Sequence, residues 1–530
     1  MAGGLEKDAA QVREYIHAGI TQDAFLETEN QKNMTILQAL RTYPKAIAFS
    51  ILMSLCIVME GYDTALTGNF YGVVQFNKRF GQPVNHGTGQ FQLTSAWQSG
   101  LQNGTALGQL LGLVIAGYVA DRIGYIKTIV GAQLAIITFI FILFFARNIE
   151  MLLVGNILCG IPWGAFQTLS TTYAADVTPL RLRPILTTFV NMCWVIGQFI
   201  SVGVLRGFLH RDDSWAWRIP YALQWIWPPI ILLGIIFAPE SPTWLVKRER
   251  IEEARSSLMQ LCNGSREEVD GHLAMIIHTN EAEKRMEDDN MNTSYLDCFE
   301  GTNLRRTEVT CGVWMIQVLC GIWFGSNVVY FLQRGGMAED SSFDFGLGQQ
   351  ALAFLGTACS WFLLSSFGRR TLYLIGQTIM FTILLTVGFM GIAQPREAIN
   401  WVSGAFLILF TVSFQLTVGP ICYCLVTEIP STRLRIKTVV LARFAYILVS
   451  VGANFLNPPI LNPLAWNLQG KGGFVWAGFG GVMLIWAFFR LPETKGLSMA
   501  EIDRLFEDGV SARKFTTIQV DTFQVNIDNN

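Results

Sequence analysis

The chain has 530 residues, 51 % hydrophobic and only 15 % charged, with a mean hydropathy of +0.37, whereas a soluble domain carries about 25 % charged residues. A single soluble domain does not fit these figures. Lys and Arg number 38 against 40 Asp and Glu, a net charge of -2, so no electrostatic partner such as nucleic acid is indicated. The apolar residues fall in blocks (46–58, 110–120, 126–145, 230–238, 381–393, 405–418) rather than in one stripe, which suits helices solvated by lipid on every side. An all-α, polytopic membrane protein is predicted.

Residues 1–30 are polar and lack a basic start followed by an apolar core, so the first segment, 1–43, is expected to remain as a cytosolic tail rather than be cleaved as a signal peptide. A crossing takes roughly 20 apolar residues. Twelve are predicted, at about 44–68, 93–120, 127–147, 151–175, 186–208, 217–238, 308–332, 345–367, 371–393, 402–427, 436–457 and 473–490. They divide the chain into a six-helix half (44–238), a cytosolic linker loop (239–307), a second six-helix half (308–490) and a cytosolic tail (491–530). An even number of spans puts both ends on one side. The short loops assigned inside hold nine Lys and Arg against eight outside, and the linker adds nine more to the inside, in the sense of the positive-inside rule. All ten cysteines and all four N-x-S/T sequons (Asn33, Asn103, Asn263, Asn292) avoid the outer loops, in agreement with that orientation, and no disulfide is expected.

The halves repeat. Asp176 precedes Arg183 by seven residues, as Glu428 precedes Arg435, at an offset of 252; Pro239-Glu240-Ser241 returns as Pro492-Glu493-Thr494 at 253; and Gly124 corresponds to Gly368-Arg369-Arg370 at 244. Two parallel six-helix halves with cytosolic termini form the layout of the major facilitator fold, whose site lies at mid-membrane between the halves.

Glu60 and Asp63, three residues apart, share one face of span one. An ionised carboxylate at mid-membrane costs on the order of 2.5–3.5 kcal/mol, so each is either a proton or pathway site or a carboxylate neutralised by an ion pair. All five histidines fall outside the spans, which leaves a carboxylate to carry any proton; Asp63 leads, with Glu60 second. Arg443, in span eleven, is either the counter-charge to one of them or a side chain that snorkels to the inner surface. Asp121, Arg122, Asp176, Arg183, Glu240, Arg369, Arg370, Glu428, Arg435 and Glu493 lie at inner helix ends. They either form an inner gate that pairs when that side shuts or anchor helix ends at the interface. No His or Cys cluster with metal spacing, no phosphate loop and no nucleophile–base set stands in the sequence, so no metal, cofactor or catalytic role is expected.

Three motifs carry a resemblance across 43–506. Gly117-Tyr118-Val119-Ala120-Asp121-Arg122-Ile123-Gly124, Pro239-Glu240-Ser241-Pro242-Thr243-Trp244-Leu245 and Pro492-Glu493-Thr494-Lys495-Gly496 resemble, in order, the signatures of the sugar porter family of the major facilitator superfamily. Within it, Met59-Glu60-Gly61-Tyr62-Asp63-Thr64, Trp314-x-x-Gln317-x-x-Cys320-Gly321 and Asn457-Pro458-Pro459 are similar to the fungal maltose and general α-glucoside permeases. The resemblance implies a proton symporter of the plasma membrane, acting as a monomer on a sugar, with a disaccharide of the α-glucoside type as substrate. A β-linked disaccharide, or a sugar sensor on the same scaffold, remain the alternatives. Buried amides and aromatic faces suit sugar hydroxyls and rings, and Gln198, Gln317, Asn327, Tyr423 and Asn454 are the candidates, each of which could instead bond one helix to another. Four positions depart from the family's pattern. Asn156 stands where an arginine usually faces the span-one aspartate, Gly321 and Ile322 replace a Gln pair, Tyr423 replaces a tryptophan, and Gln109 stands where the α-glucoside branch often has glutamate.

Overall fold

A chain in hydrocarbon has no water to satisfy its backbone, so its spans close their hydrogen bonds internally as helices. The structure, a computed structural model, describes residues 26–27, 30–31, 34–84, 90–179, 182–290, 295–393, 397–431, 434–495, 497 and 499–515. Outside the described residues lie most of the N-terminal tail, the end of the C-terminal tail, His17, His86, Arg181, Arg396, Arg433, the sequons at Asn33 and Asn292, and the side chains of Arg183 and Arg435.

The first half comprises α1 (Ile36–Thr42), α2 (Pro44–Asn69), α3 (Val74–Phe80), α4 (Ser95–Ile123), α5 (Tyr125–Phe144), α6 (Ile149–Val177), α7 (Arg183–Phe208), α8 (Trp215–Leu223) and α9 (Trp227–Ile235). The linker forms α10 (Pro242–Lys247), α11 (Ile251–Leu261) and α12 (Arg266–Asn290). The second half runs through α13 (Gly301–Leu319), α14 (Ile322–Ser326), α15 (Val328–Arg334), α16 (Glu339–Ser366), α17 (Arg369–Met390), α18 (Glu397–Leu416), α19 (Val418–Glu428), α20 (Arg435–Leu461) and α21 (Gly472–Arg490), followed by α22 (Met499–Glu507). Among the described residues, 11 stretches are long and apolar enough to cross a membrane. Span six is the exception. Expected as one helix, it is broken into α8, a 3-10 turn over Gln224–Ile226 and α9, in a stretch where Pro220, Pro228 and Pro229 cannot donate backbone hydrogen bonds.

The expected spans seven and ten are also discontinuous. Span seven is interrupted at Gly321, with φ +90°, and again at Asn327. Span ten breaks at Thr417, between α18 and α19, three residues before Pro420. Most helices also run beyond the expected spans, because their first and last turns lie among polar headgroups rather than in the apolar core.

In the first half, α4 and α6 approach backbone to backbone. A Cβ on Gly108 or Gly112 would overlap the Ile157 or Ile161 carbonyl, and one on Gly164 the Gln109 carbonyl, the close approach that small residues allow between membrane helices. The linker, expected as a loop, is helical and rests on the first half: the Tyr173 hydroxyl donates to the Pro239 carbonyl at 2.9 Å, the Ser257 hydroxyl to the Glu240 carbonyl at 2.6 Å, and the Asn263 amide to the Thr42 carbonyl at 2.8 Å. α22 belongs to the second half, where Asp503 pairs with Arg306 and Phe506 lies beneath the Arg305 and Arg306 guanidinium groups.

Candidate functional site

Glu60 and Asp63 are both buried, 0 % and 2 % exposed, in different surroundings. Asp63 Oδ1 accepts from Gln224 Nε2 at 2.7 Å and Oδ2 from the Trp163 indole at 3.1 Å. Both donors belong to the first half, and the break in span six carries Gln224. Asn156, at the position of the usual arginine, is buried with neither amide atom hydrogen-bonded. Glu60 Oε1 accepts from Gln109 Nε2 at 3.1 Å and from Gln167 Nε2 at 2.5 Å, while Oε2 is buried without a hydrogen bond.

Arg443 meets this second carboxylate, not the first. Its Nη2 donates to Gln167 Oε1 at 3.3 Å, so one amide stands between the cation of the second half and Glu60 of the first. The guanidinium lies 4.9 Å from the Trp314 ring centre and 4.7 Å from that of Tyr446, within cation–π range. The guanidinium thus faces Trp314, Tyr446 and Gln167, and through that amide the Glu60 carboxylate. Tyr423 meets Trp314 edge-on at 5.3 Å and is 48 % exposed, which leaves an aromatic face beside the cation open to an incoming ring.

The other candidates divide. Gln198 on α7 is half-buried. Gln317 Nε2 donates to the Val418 and Gly419 carbonyls at 3.2 and 3.0 Å, stitching span seven to the broken span ten. Asn327 Nδ2 is bonded to the Trp323 carbonyl at 2.6 Å. Asn454 Nδ2 donates to Asn103 Oδ1 across the halves at 3.1 Å. Gln167 and Gln224, Asn103 beyond its place in a sequon, and Trp163 escape the sequence reading, which marks Gln109 only as a departure. The first three are amides inside or beside spans, the same signal that singled out Gln198.

At the inner ends, the two halves build one device twice. Glu240 accepts from the Tyr125 and Ile126 amides at 3.0 and 3.2 Å, as Glu493 accepts from the Arg369 amide at 2.7 Å. In each case a carboxylate caps a helix N-terminus. Burial pushes the Glu240 carboxyl up, opposed by the backbone N–H groups it accepts from. Asp176 Oδ2 accepts from the Ser241 hydroxyl at 2.6 Å, and Glu428 from Thr494. Arg369 is 3.5 Å from Glu428, Arg370 donates to the Leu491 and Phe488 carbonyls, Arg122 stacks on Tyr118, and the Asp121 carbonyl accepts from Trp244. These bonds all run within one half.

Several hydrogen bonds and ion pairs join the halves at mid-membrane and on the outer side. Besides Arg443–Gln167 and Asn454–Asn103 they include Asn462 Nδ2 to the Leu93 carbonyl at 2.7 Å, Gln98 to the Tyr330 hydroxyl at 3.5 Å, and Arg206 with Asp340 and Asp344.

Residues 49–506 match the family described as "Sugar (and other) transporter". The chain belongs to that family. This sugar transporter is a multi-pass secondary transporter and not an enzyme, on a twelve-helix major facilitator fold. It is 40 % identical over 527 residues to the general alpha-glucoside permease of Saccharomyces cerevisiae, which covers 98 % of this chain and 84 % of the relative. It is 39 % identical over 509 residues to the maltose permease MAL31 of the same organism, covering 95 % and 82 %. Its fold is similar to that of the xylose transporter XylE from E. coli in a partially occluded inward open conformation, with a TM-score of 0.68 at 20 % identity, over 86 % of this chain and 100 % of that one.

Proposed function

We propose that the protein takes up a disaccharide of the maltose or α-glucoside type across the plasma membrane together with a proton, by alternating access of the halves 44–238 and 308–490, as a monomer in lipid. The relatives named for α-glucosides and maltose support the sugar class. The observation that carries the mechanism is the Glu60–Gln167–Arg443 chain. Its two charges belong to opposite halves, so rocking the halves parts Arg443 from the Glu60–Gln167 pair, whereas the partners of Asp63 stay with it. An ionised Glu60 is stabilised while Arg443 stands behind Gln167 and becomes costlier when Arg443 withdraws with the second half, so protonation is linked to the conformational step. Asp63 positions span six, and the inner carboxylates Asp176, Glu240, Glu428 and Glu493, with Asp121, Arg122, Arg183, Arg369, Arg370 and Arg435, steady the inner helix ends as the site opens inward.

At an inside-negative potential each entering proton gains about 2.3 kcal/mol per 100 mV, enough to concentrate sugar roughly fiftyfold at one proton per sugar. The test is uptake of radiolabelled maltose by a transport-null yeast, competed with sucrose, cellobiose, lactose and glucose. Glu60→Gln abolishes accumulation and flattens the pH dependence while sparing exchange in proteoliposomes; Asp63→Asn keeps both. The reverse pattern moves the proton to Asp63, normal accumulation in both makes the protein a facilitator, and stronger competition by cellobiose or lactose moves the substrate to the β-linked class.

A further inference from the structure

Charges join the two halves on the outer side. Arg206, in the last turn of α7, pairs with Asp340 and, at 2.9 Å, with Asp344, both in the first turns of α16. His210 Nε2 lies 3.1 Å from the same Asp340 carboxylate. α7 belongs to the first half and α16 to the second, so these contacts cannot survive an opening between the halves on that side. Arg206 is 29 % exposed against 45 % for Asp340 and 58 % for Asp344, and two carboxylates converge on one guanidinium, a better arrangement than an isolated surface pair.

We propose that Arg206, Asp340 and Asp344 form an ionic latch that holds the outer side shut while the inner side is open, and that His210 adds a proton-dependent arm to it. The proposal rests on the alternating-access reading. Imidazole is the side chain whose charge changes between pH 5 and 8. The groups around His210 are Arg206, Arg211, Asp212 and Asp213 of its own segment, Lys78 of α3, and Glu339, Asp340 and Asp344 of α16. Arg211 is occupied by Asp213 at 3.1 Å, which leaves the α16 carboxylates to face His210. A proton on His210 then strengthens the closed outer side, so acid outside slows reopening at the same time as it supplies the driving proton.

Gly203 lies one turn before Arg206, and a Cβ there meets Leu347 of α16 at 3.6 Å, an ordinary contact. A Gly203→Cys substitution therefore fits, its thiol partly covered by Leu347 while the outer side is shut and more accessible when it opens. Its labelling by a membrane-impermeant maleimide is followed on intact cells, with the parent protein as the blank. In this background Arg206→Gln, and separately Asp340→Asn with Asp344→Asn, speed labelling severalfold, and 1 M salt does the same to the unsubstituted latch by screening it. Labelling unchanged by all three overturns the latch. The ratio of His210→Gln to His210 labelling rates, taken at each pH so that thiol reactivity cancels, rises roughly two- to fivefold at pH 5.5 and is near one at pH 8, the scale of an exposed pair; a flat ratio overturns the proton-dependent arm. Labelling that responds as stated in cells that take up no maltose leaves the latch standing and removes the transport reading alone.

Discussion

The two amides Gln198 and Gln317 look alike in the sequence, each an amide within an apolar span. In the fold, Gln317 is committed to the carbonyls of Val418 and Gly419, whereas Gln198 is half-buried on α7. Gln317→Ala therefore uncovers two carbonyls at the break in span ten and costs about 1–3 kcal/mol, read as a lower melting temperature in detergent. Gln198→Ala weakens apparent sugar affinity roughly 5- to 150-fold with the melting temperature unchanged, as uptake kinetics and a thermal scan of the purified protein will show. Asp63 makes a related point. Its place in span one was legible, because a carboxylate among apolar residues is conspicuous. Its partners were not, since Trp163 and Gln224 lie 100 and 161 residues away and only packing brings them together. Arg443 is likewise visible as a cation within a span, but the sequence offers no choice between Glu60 and Asp63, because the group that stands between, Gln167, is a neutral side chain with no signature of its own.

Among the elements, the membrane helices were legible from apolar blocks to within a few residues, and their interruptions were not. Span six fails as a single helix because prolines remove donors and Gln224 turns inward, features that hydropathy averages away. The linker helices were missed for the opposite reason: their amphipathic spacing is ordinary, Ala254, Leu258 and Leu261 on α11 and Val269, Leu273 and Ile276 on α12 being buried, but a search for long apolar blocks passes over it. The repeated inner motif was visible as Glu240 and Glu493, and its purpose emerges from the glycines. Gly124 sits at φ +101° and a Cβ there would collide with Glu240; Gly368 meets Glu493 in the same way at an ordinary φ of -69°. Gly124→Ala thus incurs both backbone strain of about 1 kcal/mol or more and displacement of the Glu240 cap, and Gly368→Ala the displacement alone. Thermal denaturation should rank Gly124→Ala as the less stable of the two, and equal losses would remove the role assigned to the backbone.

For the molecule as a whole, the duplication was written in the sequence offsets and the fold follows it, but which face is closed was not, because opening and closing use the same residues. The division of the cytosolic shell was equally hidden. The linker helices and the start of the chain are fastened to the first half through Pro239, Glu240 and Thr42, whereas the turn over Tyr295–Phe299 and α22 are fastened to the second through Thr307 and Arg306. These bonds fasten one set of the helices outside the bundle to each half. Two separately translated fragments, 1–290 and 295–530, should then find one another in the membrane and restore maltose uptake when expressed together, though neither does so alone. Co-purification through a tag on one fragment, with uptake assayed in the same cells, measures this; fragments that insert but never associate would mean that the linker acts as a strut and not as a tether.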